Sequence, residues 1–132
     1  MITVLLDNDI TGHRELFIGT VSSTGWEEYH LIEFITLTDT GLPENSTDRS
    51  IWRHCQSQGY LLLTGNRNQE DPDSLEQTIQ EENTSDSLPV ITISDPQRIV
   101  EADYRDRCIH SLVDIILNLN NYLGSARQYI PQ

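Results

Sequence analysis

Tyr60-Leu61-Leu62-Leu63-Thr64-Gly65-Asn66-Arg67-Asn68 is the stretch on which the fold turns. Its apolar run has no alternation and ends abruptly in a polar turn, which describes a strand covered on both faces. Strands of that kind belong to parallel sheets lined by helices. Working outward, the same sign recurs at Ile2 to Leu6, where a short β-rich apolar run stops at Asp7. Between the two, Thr11 to Val21 places Leu16, Phe17 and Val21 at helical spacing, with Thr11 as a cap and Gly25 near the end. Tyr29 to Leu37 fits neither period cleanly and is read as a strand ending near Thr38, before a loop marked by Gly41 and Pro43. Ser46 or Thr47 then caps a helix to about Ser57, with Ile51, Trp52 and Cys55 on one side and Gly59 as its stop.

Beyond the polar turn, Asp73 or Ser74 caps a helix from Leu75 to Glu82, and Leu88 to Ile93 is a further strand with Pro89 at its tolerated start. Ile99 to Leu123 reads as one or two helices with a broad apolar face of Ile109, Leu112, Val113, Ile116, Leu117 and Leu119. Strands separated by helical stretches give one domain over residues 1–132, a three-layer α/β/α unit with a central, mainly parallel sheet of four or five strands. No repeat or linker divides it. Sheets of this class bind ligands outside the carboxyl ends of their strands, which directs attention to Asp7, Asp9 and Thr64 to Asn68.

The charge is lopsided: 21 acidic residues stand against 8 basic ones, all arginine, for a formal net charge of -13. Such a surface repels phosphates and anionic membrane, so broad coating of nucleic acid is excluded. Either carboxylates gather around a divalent cation that then meets phosphate, or the acidity serves solubility or a basic protein partner. No window is long and apolar enough for a membrane span, and Met1 to Asp7 lacks the basic and apolar regions of a signal peptide, so a cytoplasmic location without membrane contact is expected. Cys55 and Cys108 are too few and too far apart for a disulfide framework or zinc cluster and are read as reduced thiols. His13, His30, His54 and His110 show no metal-type spacing, and Trp26 and Trp52 are assigned to packing.

Asp7 and Asp9 flank Asn8 directly after a buried strand, where carboxylates facing one cleft suit hard cations such as Mg²⁺ or Mn²⁺. Asp48 opens the helix that leads to the second buried strand and projects towards the same edge, although the helix dipole alone also favours a carboxylate there. Thr64, Asn66, Arg67 and Asn68 offer a hydroxyl, two amides and a guanidinium around Gly65, a set suited to phosphate or metal-bound water. Glu70, Asp71 and Asp73 continue as an acidic loop.

Three stretches together, LLDNDI (5–10), STDRSIWRHC (46–55) and QGYLLLTGNRN (58–68), resemble the PIN-like domain superfamily, in particular its small proteins related to toxin–antitoxin nucleases. The likeness covers roughly residues 1 to 93. It implies carboxylates gathered around Mg²⁺ or Mn²⁺ to cut single-stranded RNA, with Asp7 as the first acid, Asp48 as the helix acid and Thr64 as the hydroxyl at the strand end. Where the family commonly carries T-x-D-x-D, this chain has Thr64-Gly65-Asn66-Arg67-Asn68, with amides in place of both carboxylates. An amide brings no charge and cannot act as a general base. The expectation is a metal-dependent endoribonuclease: Asp7, Asp9 and Asp48 hold the metal, Asp7, Asp48 and Asn66 are catalytic, and Thr64, Arg67 and Asn68 bind substrate.

Two alternatives stand beside it. Asp7-Asn8-Asp9-Ile10-Thr11 has the D-x-D-x-T form of haloacid-dehalogenase-like phosphatases, in which Asp7 would be nucleophile and Asp9 acid/base. A PIN-like domain without catalysis, acting as a homodimer or with a basic protein partner, is the other; an apolar helix face near Leu112 to Leu119 wider than one core needs would favour the dimer.

Overall fold

The computed structural model describes residues 1–26, 31–65 and 72–132. Five strands, β1 (Ile2–Leu6), β2 (Ile32–Thr36), β3 (Leu61–Thr64), β4 (Val90–Ile93) and β5 (Arg127–Ile130), form one sheet in the order β2-β1-β3-β4-β5. Every neighbouring pair is parallel, with Leu5 of β1 set between Ile35 and Leu62. The helices are α1 (Arg14–Ser23), α2 (Leu37–Thr40), α3 (Asp48–Gln58), α4 (Leu75–Glu82) and α5 (Ala102–Leu117).

The alternation of side chains along each strand sends Val4, Leu6, Leu61, Leu63, Ile91 and Ile93 to one face, where Phe17 of α1 and Tyr104, Ile109 and Leu112 of α5 cover them. Leu5, Leu62 and Val90 turn the other way, against Ile51, Trp52 and Cys55 of α3 and Leu75 and Ile79 of α4. The result is the expected three-layer α/β/α arrangement. Each fully buried leucine contributes about 1.5–3 kcal/mol relative to exposure, so the uninterrupted run of β3 anchors both cores.

The helix limits follow local chemistry. Thr47 caps α3 by accepting from Ser50 N, and Gly59 closes it in the left-handed region that glycine tolerates best, φ 76°. Ser74 caps α4 by accepting from Gln77 N. The ambiguous run before Thr38 resolves into two elements joined without a loop. β2 ends at Thr36, and Leu37 begins α2, where Thr36 and Asp39 form a capping box. That junction corrects the strand expected to reach Thr38: the apolar Leu37 belongs to a helix and is buried there. Strand β5 went unread because only Ile130 of its four residues is buried.

The face of α5 is largely spent on the core. Leu112, Val113 and Ile115 are buried, Leu119 packs against the same cluster, and Leu117, 58 % exposed, is the stretch's outlying apolar residue. The width that would have argued for a dimer is thus used within the chain. No helix among the described residues is long and apolar enough to cross a membrane.

Two topological features stand out. The chain crosses the sheet in one direction through α3, α4 and α5, yet α5 lies on the α1 face while α3 and α4 lie opposite. The connection β4–α5–β5 therefore has the opposite hand to the other three, against the strong preference for right-handed crossovers. At the far edge, Leu31 gives its carbonyl to Ile2. Alternate residues of β2 thus face β1, and Phe34 and Thr36 turn outward. Phe34 O accepts from Arg14 Nε at 3.2 Å, and Thr36 N donates to Asp39 Oδ2 at 2.9 Å.

Candidate functional site

β1 and β3 lie side by side at the centre of the sheet, and the direction of strand addition reverses there, the position at which doubly wound sheets bind ligands. Asp7 extends the pairing by one residue, its N–H donating to Leu63 O at 2.9 Å. This fixes the backbone and turns the side chain towards α3. Asp7 is only 8 % exposed. Its Oδ2 accepts from Thr64 Oγ1 at 2.7 Å and its Oδ1 from Asn8 N at 2.8 Å.

Asp9 reaches back across the same gap, and its Oδ2 accepts from Gly65 N at 3.0 Å. That contact explains the glycine. A Cβ at position 65 would stand 2.5 Å from Pro96 Cγ and 2.9 Å from Asp9 Oδ2, so backbone and carboxylate could not approach as they do. Asp48 enters from the first turn of α3, and its Oδ2 accepts from Leu75 N, in the first turn of α4, at 3.2 Å. Its neighbour Arg49, with a side chain 14 % exposed, holds the two helix starts together. Arg49 donates to Asp73 Oδ1 at 3.0 Å, Pro72 O at 2.9 Å and Glu81 Oε2 at 2.9 Å, and pairs with Glu82 as well.

Asp7, Asn8, Asp9, Ser46, Asp48 and Ile51 line one open cleft of about 300 Å³. Its electrostatics are uniform in sign. Burial raises the Asp7 carboxyl above the ordinary aspartate value, opposed by the Thr64 hydroxyl and reinforced by the charge of Asp9. Asp9 is also raised, first by burial, with the Gly65 N–H opposing and the charge of Asp48 adding to it. Beneath them burial, and then the charge of Asp7, push the Cys55 thiol up to about 12. It is a neutral core group and no nucleophile.

The cleft brings together Asp7, Asp9 and Asp48, as expected, with no basic side chain among the described residues that line it. One assignment changes. Thr64 is fully buried and gives its hydroxyl to Asp7, so it orients that carboxylate and has no surface to offer a phosphate. Asn66, Arg67 and Asn68 lie outside the described residues, as do Glu70 and Asp71. Among the described residues no three His, Cys, Asp or Glu side chains converge closely enough to enclose a metal ion. The donor set nevertheless suits Mg²⁺, which is commonly held by one or two carboxylates, with waters and substrate phosphate completing the octahedron.

Sequence reasoning missed the parts that depend on pairing across the sheet: the Gly65 N–H, Pro96 packed on Gly65, and Ser46 and Ile51 in the lining. It also missed a neighbouring cavity of about 480 Å³ that shares Asn8 with the cleft and is otherwise lined by Leu37, Thr38, Gly41, Leu42 and Glu44. A more apolar cavity of about 270 Å³ lies over β2, among Met1, Ile18, Trp26 and Ile32. Its charged lining residues are Arg14, already bonded to Phe34 O, and Glu33, which give it no convergent chemistry. No protein-family model, curated protein or solved structure matches this chain.

Proposed function

We propose that this protein is a PIN-like domain that cleaves single-stranded RNA with Mg²⁺ or Mn²⁺ at the cleft between β1, β3 and α3. The observation that carries the reading is the meeting of Asp7, Asp9 and Asp48 in one cleft with no cation in its lining among the described residues, where burial raises the carboxyls of Asp7 and Asp9, with the charge of Asp9 adding to the first and that of Asp48 to the second. Such a site gains free energy when a positive charge enters it. A bound divalent cation supplies activation of water and neutralisation of the charge that builds on the scissile phosphate. Asp7 and Asp9 hold the cation, and Thr64 and the Gly65 N–H fix the angle at which their oxygens present themselves. Asp48 faces them from α3 and completes the acidic wall. Asn66, Arg67 and Asn68 are assigned to the substrate phosphate on the sequence alone.

The phosphatase reading is less well supported. Both oxygens of Asp7 already accept hydrogen bonds from within the chain, which suits an oriented ligand better than an attacking nucleophile. A PIN-like domain without catalysis, binding a basic partner, is favoured by a specific observation: amides at Asn66 and Asn68 leave the described carboxylates short of a three-ligand cage.

The deciding experiment titrates metal-free protein with Mg²⁺ and Mn²⁺ by calorimetry, with Asp7→Asn as control, and follows cleavage of a single-stranded RNA oligonucleotide. Binding and cleavage that both vanish in Asp7→Asn support the nuclease. Binding without cleavage leaves the non-catalytic domain, and an undiminished cleavage rate in Asp7→Asn overturns the assignment.

A further inference from the structure

Resting on the reading of the cleft as a nuclease centre, we infer that the neighbouring cavity between the loops after β1 and β2 is a nucleobase pocket selective for guanine. With a net charge of -13, the protein draws little affinity from phosphate contacts. Several of its arginines are committed internally: Arg49 and Arg53 to Glu82, Arg98 to Glu101 and Arg127 to Glu76. A single strand held against that field must gain its affinity by burying bases.

A suitable pocket adjoins the cleft. It measures about 480 Å³ and shares Asn8 with the carboxylate cleft, so a base seated in it belongs to a nucleotide next to the phosphate at Asp7 and Asp9. Leu37, buried in the core, and Leu42, packed against the same cluster, provide apolar surface for a ring. Asn8 and Glu44 provide polar groups, and neither side chain bonds another described residue. A carboxylate has two acceptor oxygens, and guanine presents two adjacent N–H donors on one edge. Uracil and cytosine lack that pair. Asn8, with a donor and an acceptor in one amide, can meet the remaining polar atoms.

The test separates the pocket from the cleft. Metal-free protein is titrated with guanosine and with uridine while backbone amide resonances are followed by NMR. Guanosine is expected to shift the amides of Asn8, Gly41 and Leu42, uridine to leave them in place, and Glu44→Gln to weaken guanosine binding by about tenfold or more. Equal responses to the two nucleosides, no response at these amides, or a Glu44→Gln variant that binds guanosine as the parent does would each overturn the proposal. Cleavage of a guanosine-containing single-stranded RNA oligonucleotide with Mg²⁺ is measured alongside. If that cleavage is absent while guanosine still binds at Asn8 and Leu42, the nuclease reading falls and the base pocket stands.

Discussion

Asp7 carries a cost that the proposed metal site would explain. Its carboxyl is raised by burial, so the folded chain binds a proton at Asp7 more tightly than the unfolded chain does. Stability from this group is therefore full below the ordinary value of 3.8 and is lost as pH rises through the raised value. At neutral pH ionised Asp7 opposes folding. Asp7→Asn keeps the volume, and the new amide can accept from Asn8 N while donating to the Thr64 hydroxyl. The variant is expected to melt at a higher temperature than the parent near neutrality, with the difference shrinking on acidification; thermal melts across that range check it, and a variant less stable at every pH would refute it. Thr64→Val removes the orienting hydroxyl and leaves the shape. Loss of such a supporting contact typically costs about 10- to 100-fold in metal affinity, and calorimetry should find a loss of that order with little change in fold. These roles were half legible. A carboxylate after a buried strand announces Asp7, but the direction of the Thr64 hydroxyl depends on the register of β1 against β3, which no local pattern encodes.

Among the elements, α3 and α4 act as one piece. Arg49 grips the loop before α4 and two carboxylates within it, and that alignment lets Leu75 N reach Asp48. Arg49→Ala takes the cation from Asp73 and Glu81 and leaves Glu82 to Arg53 alone. Faster amide hydrogen exchange in the first turns of α3 and α4, with the core of β3 unaffected, is the expected result; unchanged exchange at Leu75 would show that Asp48 is held without the arginine. Strands β1, β3 and β4 were legible because burial on both faces leaves continuous apolar runs. Strand β5 was not, since an edge strand with a polar sequence looks like a loop until its neighbour is known. α2 was hidden by a capping box that lets helix follow strand with no intervening turn.

At the scale of the whole molecule, the two cores meet on β3, whose Leu63 has no exposed surface. Leu63→Ala should cost about 2–5 kcal/mol as a cavity in a packed interior, measured by urea unfolding; a loss much smaller than that would mean that the α1 and α5 layer collapses onto the gap. Acidity and sheet topology serve the same end from opposite sides. Net charge keeps copies apart at a distance. Closer in, the outward carbonyl of Phe34 and the outward N–H of Thr36 are already occupied by Arg14 and Asp39. Two of the bonding groups along this sheet margin are thus spent within the chain, which makes it a poorer template for fibril growth. The part of the β2 edge that is closed to a further strand is closed by one guanidinium and one carboxylate, two side chains that take no part in lining the cleft.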